Sequence, residues 1–527
     1  MSVIPTVLQT SAIDESQSVR VETVLLDADN HTWVPGQYGN SRFVLPKRGS
    51  VLSPNGRLIW KAGWSGEAAG VDCSATYPRD GGGHVAILQS WMYVGGKLVA
   101  HTDAAGSKAY IDSKMASWDQ QCEIDDVLVG GNRQYNYSSA TAVDNAGAVG
   151  CWEWNEDRKQ TTAAVAAVPP TIVTSQVRGA RNVIATVAGT AGLECSIGLK
   201  ALFPVLKDTL LPMALRGDVA IEIEWEGRFG SVLVEGGTAA NTGAWAGTRV
   251  GYEVFEPRLC LDYVSYAPDI DSALRESVMS GAGMMVPFRQ AILVRSQMPA
   301  LGAGVGVTQA NDIELGFQGR SVMKVYAQKL QLNQDAVPVA GGFLAASGVN
   351  PMKKTLRSDG LNGEAIQLIV NNKAMYDRVV TLPSEMYSYF SQTAGTPAYF
   401  MPGGYGQIGR LGNNAAQQAA ATNPLASSAA PAVVNVAVPF SDEFHQGRDR
   451  WLGFNLAQSR GGADTPGNAV KIGASPILLR INRGNSNGGS DETQDDARTR
   501  SPVQVNVWCE AVAAMLIRNG TVEIMAM

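Results

Sequence analysis

Residues 501–527 read SPVQVNVWCEAVAAMLIRNGTVEIMAM, and this stretch decides the fold. From Val503 to Glu510 apolar and mostly polar side chains alternate, which is the two-residue period of a β-strand with one buried face. The run stays almost wholly apolar as far as Ile517 and then turns at Asn519-Gly520, a pair typical of hairpins. We therefore predict a long, mostly buried strand followed by a short hairpin partner, both within one sheet.

The length of the chain predicts two sheet-on-sheet units, the second closed by this strand. Its 527 residues are too many for one hydrophobic core. Glycine, at 57 residues, is frequent, as expected where many short strands are joined by tight turns. The residue pattern places a boundary near 270, after Pro268-Asp269. Each unit is then a barrel or a two-sheet sandwich of the jelly-roll type.

Alternating or apolar runs predict strands throughout both units. In the first run, Val19, Val21 and Leu25 share one face. The strands of the first unit are predicted at 18–27, 42–45, 57–62, 84–99 (a hairpin turning at Gly95-Gly96), 182–187, 218–226 and 257–264. Those of the second are predicted at 284–294, 312–317, 322–330, 365–370, 379–382, 451–455, 477–481 and 503–524.

Few helices and several long loops complete the prediction. A helix is expected over 109–126, and one or two short helical turns around Pro204. Residues 130–170, 402–438 and 482–501 are expected to be long loops, because their polar or alanine-rich composition cannot supply a core.

Composition and charge exclude several classes of function. The net charge is −6 and no run of Lys or Arg occurs, so strong non-specific binding of nucleic acid is not expected. No apolar stretch reaches the ~18 residues of a membrane-spanning helix, and we expect no signal peptide at the N-terminus. Charged residues make up 17 %, against about 25 % in an average chain. So little charge suits a protein that buries much of its surface against copies or partners.

Cysteine and histidine give no support for a metal site. The six cysteines lack any Cys-x-x-Cys spacing, and we expect reduced thiols, several of them in strands. No histidine pair has the spacing of a zinc site, so surface or turn positions are expected for all four. The cysteines are Cys73, Cys122, Cys151, Cys195, Cys260 and Cys509; the histidines are His31, His84, His101 and His445.

Other chemistry-bearing patterns are weak. Glu222, Glu224 and Glu226 resemble a glycosidase carboxylate row, but all three fall on one strand face, so a solvated or interface face is favoured. An acidic surface loop is preferred over calcium binding at 442–443 and 491–496. The glycine-rich stretches 81–83, 302–306 and 403–406 indicate turns, and Trp152 with Trp154 indicates local or intersubunit packing. We predict no catalytic, cofactor-binding or metal-binding residues, and no enzyme.

Three segments resemble the double jelly-roll major capsid proteins of virophages, polinton-like viruses and nucleocytoplasmic large DNA viruses. The block from Ile197 to Trp225 is similar to the helix-then-strand block late in that family's first jelly roll. Arg258 to Tyr266 resembles the strand that ends that domain, and Val503 to Ile524 resembles the family's closing strand. Their order and spacing match over most of the chain. The insertions at 402–438 and 130–170 have no matching motif.

The resemblance implies an all-β fold of two consecutive eight-stranded jelly-roll β-sandwiches with long loop insertions and a few short helices. Residues 1–270, with an N-terminal arm, would form the first jelly roll and residues 271–527 the second. Three chains would make a pseudo-hexameric capsomer of an icosahedral DNA-virus shell. The protein would be assembled inside the host cell and located in the virion.

The resemblance also implies partners. These are further copies of the chain, first in a homotrimer and then between capsomers, and other capsid proteins such as penton and minor cement proteins. No cofactor and no specific nucleic acid are expected, and contact with an internal membrane or a host surface stays open. Alternatives are a penton or minor capsid protein, a carbohydrate-binding or adhesin-like two-sandwich protein, and a glycoside hydrolase on a β scaffold.

Overall fold

Two β-sandwiches with the same order of strands make up the chain. The computed structural model describes residues 18–33, 40–65, 74–76, 82–115, 183–184, 193–208, 210–227, 234–236, 251–301, 307–331, 337–339, 342–344, 358, 361, 363–394, 452–457, 469–484 and 502–527.

The described part of the first half contains fourteen strands, three α-helices and one 3-10 segment, Gly82–Ala86. The strands are β1 (Ser18–Asp27), β2 (Thr32–Trp33), β3 (Ser41–Leu45), β4 (Val51–Leu52), β5 (Arg57–Ser65), β6 (Ser74–Thr76), β7 (Ile87–Val94), β8 (Lys97–Asp103), β9 (Val183–Ile184), β10 (Leu193–Gly198), β11 (Leu211–Pro212), β12 (Val219–Trp225), β13 (Val234–Gly236) and β14 (Gly251–Tyr266). The helices are α1 (Ala105–Met115), α2 (Leu199–Leu202) and α3 (Val205–Asp208).

Helix α4 (Pro268–Met279) connects the two halves. The second half then contains β15 (Met284–Met298), β16 (Thr308–Leu315), β17 (Ser321–Gln331), β18 (Val337–Val339), β19 (Gly342–Leu344), β20 (Ala365–Val370), β21 (Lys373–Ala374), helix α5 (Pro383–Ala394), β22 (Leu452–Asn455), β23 (Val470–Lys471), β24 (Ile477–Gly484), β25 (Val503–Arg518) and β26 (Thr521–Ala526).

Eight principal strands in each half pair in the same order. In the first half the order β1–β14–β5–β10 forms what we call the first long sheet, and β3–β12–β7–β8 forms the first short sheet. In the second half β15–β25–β17–β22 forms the second long sheet, and β16–β24–β20–β21 the second short sheet. Counted along the chain, both long sheets are 1–8–3–6 and both short sheets 2–7–4–5. This arrangement is a jelly roll, so the predicted fold class is confirmed.

Inward-facing apolar residues hold each pair of sheets together. On β3, for example, Phe43 and Leu45 point inward and Arg42 and Val44 outward, as the strand period requires. The second sandwich has its own apolar cluster, which includes Val505 of β25. The cluster of the first sandwich continues into the second half, where it includes residues of β15 and β25.

Both halves carry their longest excursion between the fifth and sixth principal strands. In the first half this connection begins with α1, which follows β8, and in the second half it contains α5, which follows β21. The long loops predicted at 130–170 and 402–438 belong to these connections and lie outside the described residues, and so does almost all of the loop predicted at 482–501.

The strand predictions hold with shifted ends. Strand β14 begins before the predicted residue 257, β15 extends past 294, and β24 extends past 481. Two predicted strand segments are wrong. Gly82–Ala86 forms a 3-10 turn ahead of β7, and the segment 379–382 contributes only an isolated bridge between Val380 and Ile366.

The helix predictions need more correction. Helix α1 begins at Ala105, four residues before the predicted start, and residues 116–126 are outside the described part. Helices α4 and α5 were not predicted. The sequence of α4 contains clear signals, because Pro268 occupies the first turn, Asp269 and Asp271 favour the positive end of the helix dipole, and Leu274 and Val278 lie on one buried face.

Candidate functional site

The outward face of the second long sheet is buried at β25 and β17, in agreement with the prediction of a long, mostly buried strand for β25. Asn506, Trp508 and Glu510 of β25 point away from the interior of the second sandwich, yet all three are buried. Tyr326 on the neighbouring strand β17 is buried on the same side and stacks on Trp508, with ring centroids 6.0 Å apart. The first half of the chain covers this face, and we call the contact the seam.

A buried charged cluster ties the two halves together at the seam. Lys108 on α1 has 1 % of its surface exposed, and its Nζ lies 2.6 Å from Asp112 Oδ1 and 3.3 Å from Glu510 Oε1. The Tyr326 hydroxyl donates to Glu510 Oε1 over 3.0 Å, and the Lys108 ammonium lies 5.2 Å from the centre of the Tyr326 ring. Sequence analysis missed this cluster, because Lys108 and Glu510 are too far apart in the chain to be paired by pattern.

The electrostatics of the cluster favour the protonated forms of its lysine and tyrosine. Burial alone would lower the pKa of Lys108, but the carboxylates of Asp112 and Glu510 outweigh it, and the pKa is raised. Burial, together with the same two carboxylates, raises the pKa of Tyr326 well above its usual value. At neutral pH Lys108 is therefore a cation, with two carboxylates close by.

Further contacts fix the second half on the first. Arg295 Nη2 of β15 lies 2.8 Å from Asp103 Oδ1 at the end of β8. The turn between β25 and β26 contacts α4 through the Gly520 amide, which donates to the Val278 carbonyl over 3.0 Å. The Arg216 amide donates to the Gly520 carbonyl over 2.9 Å. The seam thus combines an apolar cluster, buried charges and backbone hydrogen bonds.

Among the described residues, the outward face of the first long sheet is exposed along β1. Val21 and Leu25 share a face of β1, as predicted, but each has 61 % of its surface exposed, while Val24 and Leu26 pack against the core. Val21 is the register partner of Val264, and Leu25 the partner of Cys260, both half-buried on β14. Thr23 Oγ1, between them, donates to Asp262 Oδ1 over 2.7 Å. This face is therefore an exposed apolar strip around one polar pair, which we call the open face.

The predicted glutamate row divides between two environments. Glu222 and Glu224 point outward from the first short sheet, whereas Glu226 has only 7 % of its surface exposed. Burial raises the pKa of Glu224, and the nearby carboxylates of Asp103 and Glu226 raise it further. Glu222 lies 3.5 Å from Arg42 Nε. The prediction of one solvated or interface face therefore fits Glu222 and Glu224, which lie on the outward face, but not the buried Glu226.

The same outward face of the first short sheet carries aromatic rings. Trp91 on β7 stacks on His101 on β8, with centroids 5.5 Å and planes 3° apart. His101 Nε2 lies 3.0 Å from Gln89 Oε1. Burial lowers the pKa of His101, against the opposing charge of Asp103.

Two further histidines, His31 and His84, and three of the six cysteines lie among the described residues. His31 is exposed. His84 lies in the 3-10 turn, which is the second of the two positions predicted, but it is buried there, with its ring 6.0 Å from that of Tyr110. Cys195, Cys260 and Cys509 lie in strands β10, β14 and β25, as expected of small apolar side chains.

Several other predicted positions lie outside the described residues. They are Cys73, Cys122, Cys151, Trp152, Trp154, His445 and the acidic stretches 442–443 and 491–496. Among the described residues, no group of three or more His, Cys, Asp or Glu side chains is placed to hold a metal ion. No helix in the described part of the chain is long and apolar enough to cross a membrane.

Comparison with known proteins rests on structure. A scan of protein-family models gives no match, and a search of curated proteins gives none either. A chain of the PBCV-1 virus capsid matches at a TM-score of 0.51 and 10 % identity, over 96 % of this chain and 97 % of that chain. PBCV-1 VP54, fitted into a reconstruction of the virophage Sputnik, matches at 0.51 and 9 % over the same shares. The Faustovirus major capsid protein matches at 0.49 and 11 %, over 95 % and 91 %.

The two PBCV-1 matches extend over 96 % of this chain and 97 % of the other chain, so they include both sandwiches and their order. At about a tenth of identical residues they establish fold and nothing finer. Together with the repeated 1–8–3–6 and 2–7–4–5 strand orders, they show that this chain has the double jelly-roll fold of viral major capsid proteins.

Proposed function

We propose that this protein is a major capsid protein that forms trimeric, pseudo-hexameric capsomers of an icosahedral DNA-virus shell. The observation that carries the proposal is the occurrence of two sandwiches with one strand order in a single chain, in a fold shared with the PBCV-1 capsid over 96 % of the chain. Three such chains arranged around an axis present six similar sandwiches, and closed cyclic symmetry is the usual solution for such assemblies.

We propose residues 1–270 and 271–527 as the two jelly-roll domains. In support, each principal strand in the described part of the chain pairs only with strands of its own half, either before α4 or after it. The seam supports their use as one rigid tile. Lys108 and Glu510 are buried across it, so relative movement of the halves would separate two desolvated charges, which costs several kcal/mol.

The partners follow from this role. We infer contacts first between copies in the trimer, then between capsomers, and with other capsid components such as penton and minor cement proteins. The low charge and the net charge of −6 agree with a wall that does not bind the genome itself. The site of action is then the virion, with assembly inside the host cell. We propose a structural role without catalysis.

The mass of the purified chain in solution tests the proposal. We expect three chains of 55.8 kDa each per particle at micromolar concentration, and hexagonal tiles by electron microscopy. A stable single chain under these conditions would contradict the capsomer.

One observation favours a second candidate, a glycan-binding role for the first short sheet. The stacked Trp91 and His101 rings, with Gln89 and Glu222 beside them, combine an aromatic surface with hydrogen-bonding groups. Aromatic rings commonly stack on the apolar faces of sugars. A glycan array tests this candidate with the Trp91→Ala variant as control. Binding that is lost in the variant would support it, and an array without hits would reject it.

A further inference from the structure

A lysine and a glutamate meet in the interior of the second sandwich. Lys329 lies on β17 of the second long sheet, and Glu364 directly precedes β20 of the second short sheet. The Lys329 Nζ atom contacts the Glu364 Oε1 atom, and both side chains are 0 % exposed. The pair therefore connects the two sheets of one sandwich through its interior.

Both residues occupy positions of the apolar core. Ala327 of β17 and Ile366 of β20 belong to the apolar cluster of the second sandwich. Lys329 follows Ala327 by two residues and Glu364 precedes Ile366 by two, so the strand period places both charged side chains on the inward side. Val505, the register partner of Lys329, belongs to the same cluster. An ammonium and a carboxylate thus stand where the fold otherwise places aliphatic side chains.

An apolar interior changes the chemistry that is open to such a pair. Water stabilises an ammonium beside a carboxylate, and without water the neutral amine and carboxylic acid cost less relative to the ions. One proton that passes from Lys329 Nζ to Glu364 Oε1 converts the ion pair into these two neutral groups. A desolvated lysine amine is a nucleophile, and the oxygen that it contacts is bonded to the carbon that it can attack, Glu364 Cδ.

The two oxygens of the Glu364 carboxyl group have different surroundings. Oε1 faces the lysine, whereas Oε2 accepts a hydrogen bond of 3.2 Å from the Leu361 amide. Attack of the amine on Cδ develops negative charge on Oε2, and a backbone N–H directed at that oxygen stabilises the charge. The amide of Lys329 donates to Ser358 Oγ over 3.0 Å, which holds the backbone of β17 beside the pair. The surroundings therefore fit Oε1 as the oxygen that leaves and Oε2 as the one that stays.

We propose that Lys329 and Glu364 condense into an amide bond that links the two sheets of the second sandwich covalently. Nζ forms a bond to Cδ, the bond between Cδ and Oε1 breaks, and Oε1 leaves as water with two protons from the ammonium. Oε2 becomes the carbonyl oxygen of the new amide. No group is oxidised or reduced, and the reaction uses no cofactor. The bond lies within one chain, so the proposal goes beyond the capsid role and does not depend on it.

Folding itself supplies what the reaction needs. The native contact converts an encounter between two distant groups into a step between neighbours, which raises their effective concentration greatly. The closed interior excludes water, so hydrolysis of the finished amide is suppressed. The bond joins residues 35 positions apart, and a cross-link of this kind restricts the unfolded chain and opposes separation of the two sheets.

The buried lysine of the seam serves as the internal comparison. Lys108 also contacts carboxylates, but Asp112 and Glu510 together raise its pKa. Lys108 therefore remains an ammonium, which has no lone pair with which to attack a carboxyl carbon. We expect no amide at Lys108, although it is as deeply buried as Lys329.

Mass spectrometry of the purified full-length wild type tests the proposal directly. We expect an intact mass that is lower than the sequence mass by one water, after allowance for any removed initiator methionine. Trypsin should then release the peptides 325–353 and 358–373 joined to each other, because it does not cleave after an acylated lysine. Separate peptides cleaved after Lys329 overturn the proposal, and so does a cross-link that maps to Lys108.

Two variants identify the source of the lost water. Lys329→Met removes the nucleophile and should have the full sequence mass, whereas the matched control Lys108→Met removes another buried lysine and should still lack one water. Glu364→Gln keeps the shape of the acceptor but offers ammonia as the leaving group, so it should never lose water at this site. Loss of water in Lys329→Met or in Glu364→Gln overturns the proposal. The wild-type peptides decide the question even where a variant fails to fold.

Discussion

The outward faces of the two long sheets differ although the sheets share one topology. The face of the second carries Trp508, Tyr326 and the buried Lys108–Glu510 pair, and the first half covers it. The face of the first carries smaller apolar groups, Val21 and Leu25, in solvent. The covered face combines large side chains with a buried charge pair, whereas the open face carries a modest exposed apolar strip. The difference shows that two sheets of one topology can differ in burial because their outward side chains differ.

Removing the largest side chain of the covered face tests the comparison most strongly. Trp508→Ala should lower the free energy of unfolding by about 3–5 kcal/mol, because it leaves a large cavity at a site with no exposed surface. Leu25→Ala on the open face is the control, with an expected change within about 0.5 kcal/mol. Urea denaturation of both variants measures the two values. Equal effects would mean that the two faces do not differ energetically.

Breaking the buried charged cluster comes next. Lys108→Met leaves Glu510 and Asp112 close together without their cation and should destabilise the chain by about 3 kcal/mol. Adding Glu510→Gln should restore part of this loss, because one of the two carboxylate charges is removed. A double-mutant cycle from urea denaturation should give a coupling energy of about 1–3 kcal/mol. Additive effects would show that the contact across the seam contributes nothing specific.

Alkaline pH should weaken the seam. The folded chain raises the pKa of Lys108 above 10.5 and that of Tyr326 above 10.0, so it holds these protons more tightly than the unfolded chain does. The contribution of these two protonated groups to the free energy of unfolding is complete below about pH 10. It decreases as the pH rises toward the pKa values of the folded chain, by up to about 1.4 kcal/mol per pH unit for each group. Unfolding measured from pH 8 to 11 checks this. Tyr326→Phe should show a shallower slope, and an unchanged slope would contradict the assignment.

The smallest effect is expected at the first short sheet, away from both long sheets. The pKa of Glu224 is raised by burial and by Asp103 and Glu226, so its ionised form disfavours the folded chain. Glu224→Gln should therefore raise stability at pH 7 by about 0.5 kcal/mol. The gain should vanish below pH 4.5, where the carboxyl is protonated in both states. Melting temperatures at pH 7 and pH 4 provide the measurement, and a loss of stability at pH 7 would contradict the sign.

The sequence predicted most strands because alternation is local information. The stretch from 503 to 524 shows this, since its period and its Asn519-Gly520 turn, both residues at positive φ, directly specify a strand and a hairpin. Alternation does not say which face meets solvent. Asn506 and Glu510 are polar yet buried, and Glu510 is paired with Lys108 of the distant α1, which local alternation could not reveal.

The reverse error concerns the open face. Val21 and Leu25 have the composition of a buried face, and sequence alone could not place them in solvent. The candidate surfaces were therefore beyond reach of sequence reasoning, since each depends on which distant element covers a strand. Helix α5 was missed for a different reason. Its tyrosine and serine residues favour a helix only weakly, and packing against β22 stabilises it.

The position of β25 has a consequence for biosynthesis. This strand lies between β15 and β17, which emerge from the ribosome much earlier, and it carries the face that the first half covers. Until residue 518 has been translated, the edges of β15 and β17 that pair with β25 have no hydrogen-bond partner from this strand. Lys108 on α1 likewise lacks the carboxylate of Glu510. Such unfinished chains expose the features that chaperones recognise. The second long sheet is therefore completed only when this late strand inserts between β15 and β17.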